Sequence, residues 1–84
     1  MTDKEFKELC EWAKKNYPKN IMTDNYYYID MILSNHNILE FNKLGRIDIQ
    51  KNIGDLAIKF ILGYNRTQEQ MKEIIKNLVE EAEE

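Results

Sequence analysis

A lone cysteine, Cys10, cannot close an internal disulfide, which argues against a stapled secreted mini-protein. One Cys and one His are too few for a zinc ribbon or finger. No apolar run approaches the roughly 20 residues of a membrane span. The N-terminal stretch MTDKEFKELCEW is charged and amphipathic and lacks the apolar core of a secretory signal. These absences point to a cytosolic chain. In that setting the match of Asn65-Arg66-Thr67 to the N-glycosylation pattern is accidental.

Catalytic signatures are missing too. There is no Gly-rich phosphate loop, no nucleophile elbow and no HExxH. No pair of acids stands inside an apolar stripe, so no metal or acid/base site is expected. Cys10 has no neighbouring His to activate it and reads as a core residue. His36, the one group that titrates near neutrality unaided, reads as a cap or core-edge residue. No catalytic, cofactor-binding or metal residues are assigned. Arginine occurs only at Arg46 and Arg66, and no segment is basic enough for a nucleic-acid footprint. Net charge is −3, and the segment from Thr67 onward is the most acidic. That tail would repel phosphate.

What is present is apolar periodicity, in a chain whose 84 residues make one domain and whose 43% hydrophobic content suffices for a core. Thr2 with Glu5 forms a capping-box pattern ahead of Phe6, Leu9, Cys10, Ala13 and Tyr17. This predicts a helix over residues 3–17, stopped by Pro18. A second helix is predicted over residues 24–35, with Tyr26, Tyr28, Ile29, Ile32, Leu33 and His36 on one side and Tyr27 and Met31 on the other. The polar Ser34-Asn35-His36-Asn37 breaks the chain before a short helix over 38–44, which Gly45 closes. Residues 49–64 are the expected centre. Ile49, Ile53, Leu56, Ala57, Phe60, Ile61 and Tyr64 follow a helical repeat, and Ile58 and Leu62 form a second ridge. A helix over 48–63 follows, with Gly54 inside it for close approach of a neighbour. Thr67 with Gln70 then caps a helix over 68–82, striped by Met71, Ile74, Ile75, Leu78, Val79 and Ala82. The expected fold is all-α, a compact bundle of four to five short antiparallel helices.

Two local patterns point to other functions. Ile53-Gly54-Asp55-Leu56 ahead of an apolar helix resembles the helix that carries a metal-binding Asp in MazG-type all-α nucleotide pyrophosphohydrolases. The resemblance covers about a third of the chain and implies at most a divergent member. The upstream EExxE cluster is replaced by ILSNHNILEF, with Glu40 its one acid, and Asp55 alone binds no metal usefully. Leu56-Ala57, Leu62-Gly63 and NRTQEQMKEII together resemble a helix-turn-helix. However, Gly63 follows Ala57 by six residues instead of four, and Glu69 and Glu73 would face phosphate.

The reading that remains is a small protein-binding module, accessory or inhibitory, that docks on a larger protein or pairs as a homodimer through residues 49–64. The Ile, Lys and Asn bias is that of AT-rich coding genomes, so a phage or mobile element is the expected source. Candidate contacts are the apolar and aromatic residues left outside the stripes: Trp12, Tyr27, Met31, Ile58 and Leu62.

Overall fold

The computed structural model describes residues 1–84 and shows an α+β fold. The elements run α1 (Asp3–Asn16), β1 (Ile21–Asp24), β2 (Tyr28–Ile32), β3 (Ile38–Asn42), β4 (Ile47–Ile53), β5 (Leu56–Gly63) and α2 (Gln68–Ala82). The strands form one antiparallel sheet in sequence order, each paired with the next. No helix is long and apolar enough to cross a membrane.

This overturns the all-α expectation. No helix forms over 24–35, 38–44 or 48–63; those residues make strands β2 to β5, and β1 lies just ahead of them. The reason lies in the same side chains read at a different period. Tyr28-Ile29-Asp30-Met31-Ile32 and Ile38-Leu39-Glu40-Phe41-Asn42 alternate, and they are rich in the β-branched and aromatic residues that suit a pleated surface. Ile29 and Met31 on β2, Leu39 and Phe41 on β3, and Ile47 and Ile49 on β4 all point to one face and are buried.

The two helices cover that face. Thr2 and Thr67 each accept a hydrogen bond from the backbone N–H three residues on, and Glu5 and Gln70 answer from the side chain. Both caps are complete capping boxes. Phe6, Leu9, Cys10 and Ala13 of α1 and Met71, Ile75 and Val79 of α2 complete a single core of 14 buried residues. The Phe6 and Phe41 rings meet edge to face, 6.4 Å apart.

The turns use residues that fit their backbone. Asn25 Oδ1 accepts from the N–H groups of Tyr27 and Tyr28 between β1 and β2. Asn42 Oδ1 accepts from Leu44 and Arg46 between β3 and β4. Gly45 belongs to this second turn and closes no helix; its φ is +83° and its carbonyl accepts from Arg66 N–H at 2.9 Å. That bond ties the β3–β4 turn to the loop before α2.

The corrected fold also removes the frame of both alternative functions. Asp55 stands in an exposed turn between β4 and β5, where the MazG resemblance needs a buried helix. The expected first helix of the helix-turn-helix is strand β5.

Candidate functional site

The β4–β5 hairpin is built from Ile53-Gly54-Asp55-Leu56, with Ile53 and Leu56 paired across a two-residue loop. Gly54 takes φ +61° at the first loop position, as a type II′ turn requires. Such turns match the right-handed twist of the strands they join. Residues 51–57 are all exposed, so the distal half of the hairpin runs beyond the helical layer.

β5 is an edge strand of eight residues with no neighbour on its outer side. Its exposed side chains are mostly apolar: Leu56 is 66% exposed, Phe60 44% and Ile61 45%. Ile53 on β4 and Tyr64 just beyond β5 are exposed as well. Edge strands are usually shortened, charged or covered. Here Lys59 is the only charged residue in the strand.

Ladder geometry fixes which backbone groups are free. Asn42 N–H donates to Arg46 C=O, so the even-numbered residues of β4 bond to β3 and its odd-numbered ones face β5. With Ile49 paired to Phe60, Lys51 to Ile58 and Ile53 to Leu56, the groups of Leu56, Ile58 and Phe60 turn inward. The N–H and C=O of Ala57, Lys59 and Ile61 therefore point outward. This is an accepting edge for another extended strand.

The sheet face away from the helices carries a row of acids. Asp30 lies opposite Glu40, and Glu40 opposite Asp48, on three adjacent strands. Asp48 is 2% exposed, with Arg46 Nε 3.4 Å away. Burial raises the Glu40 pKa above the usual carboxylate range, helped by the adjacent Asp30. Burial likewise raises Asp48, helped by the charge of Glu40. Lys59 and Arg46 oppose both shifts. Asp30 Oδ1 is buried without a donor, and a protonated Glu40 beside it is the group able to supply one. No group of His, Cys, Asp and Glu converges well enough to hold a metal ion.

These raised values make stability fall as pH rises. Between its ordinary pKa and its raised folded value, each carboxyl keeps a proton in the folded state that the unfolded chain has lost. Asp3 and Glu5 run the other way. Lys43 lowers Asp3, and the backbone of Thr2 lowers Glu5. Their contribution is present above the ordinary carboxylate range and is lost as pH falls through their lowered folded values. Stability should therefore peak near the ordinary carboxylate range, about pH 4, and decline above it as Glu40 and Asp48 lose their protons. Asp48→Asn should stabilise the protein at pH 7 by up to about 1 kcal/mol, the scale of a like-charge cross-strand contact. It should also flatten the decline toward neutral pH, as thermal unfolding followed by circular dichroism across pH 4–8 would show.

A cleft of about 500 Å³ lies between α1 and the β1–β2 turn, with Phe6 and Cys10 among its lining residues. Lys43 pairs with Asp3 and donates to the Tyr26 hydroxyl, and Lys14 pairs with Asp24 at 2.9 Å. Burial pushes the Cys10 thiol up to about 11, so it stays protonated at neutral pH and is a poor nucleophile.

The sequence-selected contacts are scattered. Met31 is fully buried in the core, so it offers no contact surface. Trp12 is half-buried on α1, with the Tyr17 ring edge-on at 5.6 Å and Lys72 over its face. Tyr27 is exposed in the β1–β2 turn. Ile58 and Leu62 both lie on β5, half-buried on the helix side, and Leu62 packs against the core. The exposed residues beside them, Leu56, Phe60 and Ile61, fall on the apolar face of the helix that the sequence predicts. The signal that separates them is the Gly-Asp pair bracketed by apolar residues, which marks a hairpin. No family model, curated protein or solved structure matches this chain.

Proposed function

We propose that this is a protein-binding module that engages its partner by strand addition along β5. The single observation that carries this reading is an unpaired eight-residue edge strand with exposed apolar side chains on both faces. Main-chain hydrogen bonds would supply much of the affinity, and the side chains of Leu56, Phe60 and Ile61 the selectivity. A cytosolic setting, where Cys10 stays reduced, belongs to the same reading.

The test compares the Leu56→Ser/Phe60→Ser double variant with Tyr27→Ser, using the tagged protein as bait in its native host. The double variant should lose the captured partner by about 10-fold or more, since central apolar contacts carry most interface energy. Tyr27→Ser should behave as wild type. Equal capture by all three proteins would contradict docking through the hairpin.

A further inference from the structure

We infer that the occupant of the β5 edge is a second copy of this chain, paired antiparallel through β5 about a two-fold axis at Phe60. This rests on the docking reading above and adds the identity of the partner.

The two edges of the sheet differ. β1 has four residues, its register slips between Ile21 and Thr23, and the Lys14–Asp24 ion pair stands at its end. Adding β5 of one copy to β1 of the next would build an open-ended fibre, and the short, irregular β1 is a poor acceptor. β5 against β5 closes the assembly after two copies.

Ladder parity then restricts the register. Outward groups must meet outward groups, so one residue sits on the axis; the outward set ends at Ile61, because the register slips between Ile47 and Asp48 and Gly63 pairs inward with Ile47. An axis at Lys59 sets like charges directly opposite, which is destabilising. An axis at Ile58 puts the Asp55 carboxylate against the partner's Ile61. An axis at Phe60 avoids both: Lys59 faces the partner's Ile61, Ile58 faces the partner's Leu62, and Phe60 faces its own copy.

Charge complementarity favours the same register. The row Asp30–Glu40–Asp48 continues across the sheet to Ile61 on β5. With the axis at Phe60, the next residue in that row is the partner's Lys59. A cation thus completes each line of carboxylates, once on either side of the axis.

The test uses the full chain. Sedimentation should show a species of twice the 10.1 kDa chain mass, with amide exchange at Lys59 and Ile61 slowing as concentration rises. Phe60→Cys should form an interchain disulfide on mild oxidation, because a non-hydrogen-bonded pair brings Cα atoms to about 4.5 Å. Ile58→Cys should not, since it has no copy of itself opposite. Ile61→Lys should fold, because Asp48 lies across from it within the chain. It should weaken association by at least about 10-fold, because it meets the partner's Lys59 twice by symmetry. A monomer up to roughly 1 mM, or a dimer in which Phe60→Cys does not cross-link, would overturn the inference. If the chain is monomeric and the Leu56→Ser/Phe60→Ser variant still loses a captured protein, strand addition stands and the occupant is a foreign strand. If that variant loses nothing, both readings fail.

Discussion

Phe41→Ala should lower the unfolding free energy by about 3–5 kcal/mol, the range for truncating a fully buried phenylalanine. Phe41 is 0% exposed on the central strand, flanked by Ile29 on β2 and Ile47 on β3's other neighbour, β4. Its ring meets Phe6 of α1, so the substitution strips the sheet–helix contact as well as opening a cavity. At 0.05–0.15 kcal/mol per residue, a domain of this size holds only about 4–13 kcal/mol in total. The loss should therefore appear as a large drop in the urea midpoint with the slope unchanged. Phe60→Ala is the internal control. Phe60 is a large aromatic on an exposed edge, and its truncation should cost far less. Equal losses at the two positions would mean that the β5 side chains are packed and the edge is covered.

Gly45→Ala should be the second most damaging substitution, at roughly 2–5 kcal/mol. The left-handed backbone alone costs a residue with a Cβ about 1–2 kcal/mol, and crowding adds about 1–3 kcal/mol. An added Cβ would stand 2.7 Å from Arg66 N and 2.8 Å from Arg66 O, both backbone atoms that cannot swing aside. The same contact carries the hydrogen bond from Arg66 N–H to Gly45 C=O. Gly54→Ala separates the two terms. Gly54 also has positive φ but has nothing within 4 Å of its missing Cβ, so only the backbone term of about 1–2 kcal/mol applies. Denaturant unfolding of both variants should rank Gly45→Ala well below Gly54→Ala. A reversed order would show that the β3–β4 turn does not pack against the loop before α2.

The ends of the chain were legible and the middle was not. At Thr2 and Thr67 the cap, the polar partner three residues on and the apolar stripe all agree on one structure. Between residues 20 and 64 the strands are four to eight residues long, too short for periodicity alone to separate a helix from a sheet. Ile49, Ile53, Leu56, Phe60 and Tyr64 fit a helical repeat only when the turn at Gly54-Asp55 is read through as helix. Once that turn is placed, Leu56, Ile58, Phe60 and Leu62 alternate as one strand face. Gly45, read as a helix terminator, serves a tight turn instead.

The contact residues were half legible for a related reason. Ile58 and Leu62 form a second ridge in the helical reading of residues 49–64, and both lie on β5. A helical repeat puts Phe60 and Ile61 in the core, because a helix and a strand divide the same residues differently between inside and outside. Met31 failed by the same logic: on a helix it faced away from Ile29, whereas on β2 the two share the buried face. The acid row could not be read at all, since Asp30, Glu40 and Asp48 are brought together only by cross-strand register.

Residues 49–64 form a hairpin whose outer strand leaves its edge open. Residue-resolved amide exchange along β5, at a concentration low enough to keep the chain dissociated, tests this most directly. Ile58 and Phe60 N–H groups, bonded to β4, should exchange slowly, while Ala57, Lys59 and Ile61 should exchange as freely as exposed amides. Uniform protection along the segment, as a helix would give, or protection of Ala57, Lys59 and Ile61 that persists on dilution, would contradict the open edge.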